Sequence, residues 1–185
     1  MLERLRSYWR QRRGNAAVVD ATLARIADAA RNPSLYTRMG VADTVWGRFE
    51  MMALHVLLFQ DRAKSGGEGL KAMAQDLVDA YFKELDHTIR ELGIGDASVP
   101  KRMKKLGRMV YGRWSAYGSA IDAADAGALA DALARNAYAE GGDADRAPML
   151  AEYALATRHA LDNLSDEALL AGRLAFRDHT SAEVA

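Results

Sequence analysis

The residues best suited to chemistry are three polar side chains inside the most apolar stretch of the sequence, DTVWGRFEMMALHVLLFQDR, at residues 43–62. His55 could be a haem ligand or a proton carrier, because the pKa of histidine lies close to neutral pH. Arg48, seven residues earlier, shares a helical stripe with His55. Glu50 and His55 lie about 140° apart around a helix, so they do not match the Glu-x-x-His pairs of a di-iron bundle.

A second interpretation treats the same residues as structural. In it, His55 is a core residue satisfied by one hydrogen bond, and Arg48 and Glu50 form buried or half-buried ion pairs with other helices, because an unpaired buried charge is very costly. The hypothesis of a small-molecule or haem pocket near His55 remains the alternative function.

Motifs of the common enzyme classes do not occur. The sequence contains no P-loop, dinucleotide-binding glycine fingerprint, HExxH or GxSxG pattern. It also contains no cysteine, which excludes a thiol nucleophile and cysteine-ligated zinc or iron–sulfur sites. We therefore expect no catalytic, cofactor-binding or metal site, and no enzymatic activity.

Residues 44–62 are predicted to be the central buried helix, because apolar side chains surround nearly its whole circumference. Asp43 is the predicted N-cap. A membrane span needs about twenty largely apolar residues, and the charged residues here argue against one. The sequence predicts an all-α fold: a single-domain helical bundle of about six to eight helices around this one.

Apolar residues at spacings of three and four predict the remaining helices. We expect them at 2–13, 16–30, 69–92 with Gly93 as C-cap, 98–120, 126–139, 148–164, and from Ser165 to near Phe176. The connector between residues 33 and 43 is apolar and should pack. The predicted organisation is a basic amphipathic segment at 1–14, a helical domain at 15–176 and a disordered tail at 177–185.

The formal net charge of zero conceals a polarity along the chain. Residues 1–113 contain 20 Lys and Arg against 13 Asp and Glu, whereas residues 114–185 contain 5 against 12. Two basic clusters are candidate partner-binding sites, although a solvated helix face explains them equally well: Lys101, Arg102, Lys104, Lys105 and Arg108 on one helix, and Arg10, Arg12 and Arg13 near the N-terminus. Their natural partner would be anionic, such as RNA, a lipid surface or an acidic protein.

Three segments together resemble the ubiquinol-cytochrome c chaperone family over about residues 28–176. They are ARNPSLYTRMGVADTVWGRFEMMALHVLLF, AYFKELDHTIRELGIGDASVPKRMKKLGRMVYGR and ALLAGRLAF. Trp46 departs from the family pattern, in which a polar or acidic residue is expected, and makes the start of the central helix more apolar. The family-specific positions, expected to hold the architecture, are Arg48, Phe49, Glu50, Asp86, Arg90, Glu91, Tyr111 and Arg113.

The resemblance implies an assembly chaperone that binds cytochrome b or its nascent chain while the ubiquinol-cytochrome c reductase is made. Bacterial members of the family are short single-domain chains like this one. A ribosome or an anionic membrane surface is a further expected partner, and DNA is not. We expect a cytoplasmic protein, because the N-terminus lacks the apolar core of a secretory signal, with a peripheral position at the inner membrane as an extension of that expectation.

Overall fold

The computed structural model of the protein describes residues 2–91, 98–174 and 176, with side chains from Ala16 onward. These residues contain no β-strand, and the prediction of an all-α bundle is confirmed. Eight helices are described: α1 (Leu2–Ala30), α2 (Pro33–Thr37), α3 (Val45–Lys64), α4 (Glu68–Glu91), α5 (Val99–Asp122), α6 (Ala126–Asn136), α7 (Ala147–Asp162) and α8 (Asp166–Leu170). None of them carries a stretch long and apolar enough to cross a bilayer.

Helix α3 occupies the centre, as its sequence predicts. Thirteen of its twenty residues are buried, and α1, α4, α5 and α7 all pack against it. Leu57 is buried, as its position on an apolar face requires. Phe49 is only partly buried, because its ring lies at a groove described below.

The predicted N-cap of α3 is wrong. Thr44, not Asp43, is the N-cap: its hydroxyl accepts a hydrogen bond from the Gly47 N–H at 3.1 Å. Gly47 is required at its position, because a Cβ there would lie 1.9 Å from the carbonyl oxygen of Ala42. Asp43 instead pairs with Arg48 at 2.7 Å, with both side chains more than half exposed. The prediction that Arg48 pairs with another helix in a buried site is therefore wrong.

Two predicted helix boundaries are also wrong. The helices expected at 2–13 and 16–30 are one continuous helix, α1, because a single glycine such as Gly14 costs a helix only about 1 kcal/mol relative to alanine. The last helix ends at Leu170 rather than near Phe176, because Gly172 adopts the left-handed conformation (φ +72°) that terminates helices. Gly93, and the tail at 177–185, lie outside the described residues.

The connector before α3 packs, as predicted. Met39 and Val41 are buried. The Tyr138 hydroxyl donates to the Met39 carbonyl at 2.6 Å, and the Asp143 N–H donates to the Gly40 carbonyl at 2.8 Å. These bonds fasten the approach to α3 against the segment that follows α6, so the start of α3 is held in place.

Glu50 and Arg113 join α3 to α5 through a buried ion pair. The Arg113 Nε donates to one Glu50 carboxylate oxygen at 2.6 Å, and a terminal guanidinium nitrogen lies 2.5 Å from the other. Only 5% of the Glu50 side chain and 12% of the Arg113 side chain are exposed. Burial raises the pKa of the Glu50 carboxyl, and Arg113 opposes that rise. The expected partner of Glu50 on another helix is thus confirmed.

A second network fixes the other end of α3. Asp61 is almost fully buried between Lys64 at 2.5 Å and Arg158 of α7 at 2.6 Å. The Arg62 guanidinium donates to the backbone carbonyl of Leu161 and to the Asp166 carboxylate at the start of α8. The C-terminal end of α3 is therefore fastened to α7 and α8 by charge-assisted hydrogen bonds.

The Glu50–Arg113 and Arg48–Asp43 ion pairs of α3 should differ sharply in their contribution to stability. Replacing Arg113 by Leu leaves the Glu50 carboxylate buried without its partner, so we expect the free energy of unfolding to fall by about 3–5 kcal/mol. The matched control is Arg48→Leu, which breaks an exposed pair and should change the free energy of unfolding only slightly. Urea denaturation at neutral pH measures both.

The double variant Glu50→Leu/Arg113→Leu should recover most of the loss, because an apolar pair of suitable size removes the stranded charge. Equal destabilisation by Arg113→Leu and Arg48→Leu would contradict the assignment of a buried pair.

Candidate functional site

An open groove of about 840 Å³ lies between α1, α3, α4 and α5. It lies where α3 begins and α4 ends. Its apolar lining comes from all four helices, including Leu23 of α1, Met52 of α3, Leu85 and Ile89 of α4, and Leu106 of α5. These residues fall on the apolar stripes of their helices, so the groove is a place where amphipathic faces meet without filling the space between them.

Small and adaptable side chains shape this groove. Ala24, Ala27 and Ala30 follow one another at helical spacing along its α1 side, and small residues of this kind allow another helix to approach closely. Met52 and Met109 line the other sides, and unbranched methionines adjust to ligands of different shape. The surface suits an apolar helix better than a single rigid ligand.

The mouth of the groove exposes large apolar side chains at the start of α3. Val45 is 72% exposed and Trp46 is 37% exposed. The Trp46 ring meets Phe49 edge to face, with ring centroids 5.5 Å apart. An aromatic cluster left exposed at a groove is typical of an interaction site. The sequence analysis identified Trp46 as unusual, but it did not predict the groove beside it.

Charged residues line the same groove. Arg31, Arg102 and Lys105 contribute positive charge, and Asp20 and Glu84 contribute negative charge. Arg48 also borders it, but its guanidinium is paired with Asp43. The site therefore combines an apolar floor with ionic groups at its edges.

The predicted basic cluster on α5 adjoins the groove. Lys101, Arg102, Lys104, Lys105 and Arg108 are all exposed, and within the described chain none of them has an ion-pair or hydrogen-bond partner. Four of them line a shallow cleft of about 410 Å³. Among the described residues, some exposed arginines elsewhere are paired, as Arg146 is with Asp143 at 2.8 Å, and others such as Arg25 and Arg135 are not, so the α5 cluster is distinguished by how closely its charges are spaced. The side chains of Arg10, Arg12 and Arg13 lie outside the described part of α1.

The remaining family-specific residues do not gather at one place. Phe49 borders the groove, whereas Glu50 and Arg113 form the buried pair. Tyr111 is 56% exposed and its ring stacks on Phe82. On the surface of α4, Arg90 pairs with Asp86 at 2.7 Å and Glu91 pairs with His87 at 3.2 Å.

His55 is a satisfied core residue. It is fully buried, and its Nδ1 lies 2.7 Å from the Met51 carbonyl oxygen, which can only accept, so Nδ1 carries the proton. Its Nε2 then accepts from the Tyr153 hydroxyl at 2.6 Å. Burial lowers the pKa of His55 to about 4. Both ring nitrogens are bonded within the protein and His55 does not line the groove, so the structure favours the structural interpretation over a haem or small-molecule pocket.

Fold and site together describe an all-α protein with an apolar groove beside a basic face whose charges have no partner in the described part of the chain. The family model for the ubiquinol-cytochrome c chaperone matches residues 37–176, and the chain belongs to that family. The resemblance expected from the sequence is thus confirmed.

A crystal structure described as the Cbp3 homologue from Brucella abortus matches with a TM-score of 0.84 and 46% identity, covering 96% of this chain and 97% of that one. Comparison with curated proteins finds no significant match. Membership of this family and the likeness to this relative support the role of an assembly chaperone, a class of protein that acts on a protein client.

Burial of neutral His55 should make stability depend on pH. In the unfolded chain His55 binds a proton with the ordinary histidine pKa of 6.5, whereas in the folded protein it stays neutral until about pH 4. The free energy of unfolding should therefore fall as pH falls from about 6.5 to about 4, by up to about 1.4 kcal/mol per pH unit. His55→Gln, which cannot titrate, should show a shallower dependence over this range in urea denaturation. An unchanged slope would contradict the neutral assignment.

Proposed function

We propose that this protein is an assembly chaperone that holds an apolar segment of cytochrome b, or of its nascent chain, in the groove between α1, α3, α4 and α5. The observation that carries the proposal is the groove itself, in which Trp46, Phe49 and their neighbours leave apolar surface open beside a complete core. Membership of the chaperone family supports the choice of client. The role is one of binding and release rather than catalysis.

The length of the groove fits a part of a membrane span. Its lining on α1 runs from Asp20 to Arg31, which corresponds to roughly 16 Å at 1.5 Å per residue. A transmembrane helix needs about twenty residues to cross about 30 Å of hydrocarbon. The groove therefore shields about half of one span, which suits transient protection before insertion.

The basic face of α5 supplies a second contact in this proposal. Lys101, Lys104 and Arg108 lie beside the groove and have no partner among the described residues. Clustered positive charge attracts an anionic surface over the range allowed by salt screening. A ribosome or an anionic membrane would place the groove where an apolar chain emerges or inserts. The protein would then work in the cytoplasm or at the periphery of the membrane.

Filling the groove should block the chaperone without unfolding it. Ala24 lines the groove and is exposed, so Ala24→Trp occupies the space that the client needs. We expect crosslinking to newly made cytochrome b and the yield of assembled reductase to fall severalfold. Ala21→Trp is the matched control, because Ala21 is exposed one turn earlier on α1 but does not line the groove. A loss of function shared by both variants, or by neither, would refute the groove as the client site.

Removing the basic face should abolish salt-sensitive binding. Replacing Lys101, Arg102, Lys104 and Lys105 by Gln should eliminate binding to ribosomes or anionic vesicles, measured by co-sedimentation over a salt series. The melting temperature should hardly change, because surface substitutions shift stability by within about 0.5 kcal/mol.

The control removes the same net charge from other exposed positions, at Arg25, Lys71, Lys83 and Arg135. Equal loss in the two variants would show that net charge, and not the α5 face, controls binding. Normal reductase assembly in cells carrying the α5 variant would mean that the face is ordinary surface.

A further inference from the structure

The charged residues that line the groove differ in sign between its two ends. Asp20 lies on α1 between Val18 and Thr22, whose side chains lie next to Gly172 beyond α8: a Cβ built there would come within 3.4 Å of the Thr22 hydroxyl. Arg31 lies at the other end of the lining, just after α1 ends. The ends of the groove along α1 therefore carry opposite charge, separated by roughly 16 Å of helix.

The other walls continue this direction. Helix α5 runs antiparallel to α4, since Tyr111 stacks on Phe82, in the middle of α4, while Arg102 lines the groove with Ile89 near the end of α4. The Tyr36 hydroxyl donates to the Ala30 carbonyl at 2.5 Å and Tyr36 lies near Arg48, so the end of α1 lies beside the start of α3, where α4 ends. Arg31 and Arg102 are therefore at the same end of the groove, and Lys105 is within one turn of Arg102. Gly107 and Tyr111 lie beside Phe82, so Glu84 is close to the level of Lys105. Arg31 and Arg102 therefore mark one end of the groove and Asp20 the other, with Lys105 and Glu84 between them.

An α-helix bound along this groove would carry matching partial charges. The macrodipole leaves about half a negative charge at a helix C-terminus and half a positive charge at its N-terminus. Acidic residues following the helix would add to the negative end. The complement of the Arg31 and Arg102 end is therefore the C-terminal end of an apolar helix, and best an acidic one.

We infer that the groove binds an apolar client helix in a single direction, with its C-terminal, acidic-flanked end at Arg102 and Lys105. This inference rests on the proposed function, because it specifies the helix that the chaperone groove accepts. It also implies selection: transmembrane helices carry Lys and Arg at their cytoplasmic flank, and that flank would be repelled from the α5 edge when it is the C-terminal one.

Synthetic apolar helices test the specificity. Three peptides share one core and end in Asp-Asp, Asn-Asn or Lys-Lys, and their affinities for the full chain are measured by fluorescence anisotropy. We expect the Asp-Asp peptide to bind about threefold to tenfold more tightly than the Lys-Lys peptide. Arg102→Gln/Lys105→Gln should remove most of this preference, because it weakens the Asp-Asp peptide more than the Asn-Asn peptide, which offers only the partial charge of its helix end. Lys101→Gln/Lys104→Gln, which removes the same charge beside the groove, should retain most of the preference.

Disulfide crosslinking tests the direction, and the absence of native cysteine makes each engineered one unique. A C-terminal cysteine on the peptide should crosslink to Thr88→Cys, and an N-terminal cysteine to Ala24→Cys. Crosslinking in the opposite or in both directions would overturn the inference, as would equal affinities for the three flanks. In either case the proposed function would stand, because apolar peptides still bind. Failure of every peptide to bind the wild-type groove would instead reject the proposed function.

Discussion

Helix α3 is apolar around most of its circumference, and the arrangement of the other helices follows from the need to keep water away from it. Helices α1, α4, α5 and α7 together cover it over most of its length. Near its start the cover is incomplete, and Trp46, Phe49 and Met52 become part of an open groove. Core and candidate binding site are therefore two ends of one apolar surface, and the site needs no element of its own.

The sequence predicts those features that periodicity determines. Helices α3, α4 and α5 appear in it because their apolar spacings are long and regular, and the short α2 does not, because five residues make too little pattern. Asp43 and Thr44 are adjacent and both favour N-caps, so only the backbone decides between them. The groove could not be predicted, because residues such as Ala24 and Leu85 look like ordinary core positions until the neighbouring helices fail to cover them.

The environment of a charged residue, buried and paired or hydrated and without a partner, separates structural from candidate functional residues more clearly than residue type does. Glu50 and Asp61 are buried and Arg113 is largely buried, and each is matched by an opposite charge in hydrogen-bond contact. Removing such residues from water is tolerable only with a partner of this kind. Lys101 and Arg108 stay hydrated and have no such partner in the described part of the chain. A family-specific residue can therefore be structural, as Glu50 is, while a neighbouring solvated lysine is the better candidate for binding.

The distribution of these ion pairs along α3 explains how one helix can serve both purposes. Its C-terminal end is fastened to α7 and α8 through Asp61 and Arg62, and Glu50 anchors it to α5. The first turn lies outside those anchors and is held by its cap and by the packed connector. Exposing Val45 and Trp46 there forgoes the favourable free energy of burying them. It does not open the core, because the anchored part of the helix stays packed against its neighbours. A chaperone that must present apolar surface repeatedly without unfolding requires this separation of a fastened end from an open one.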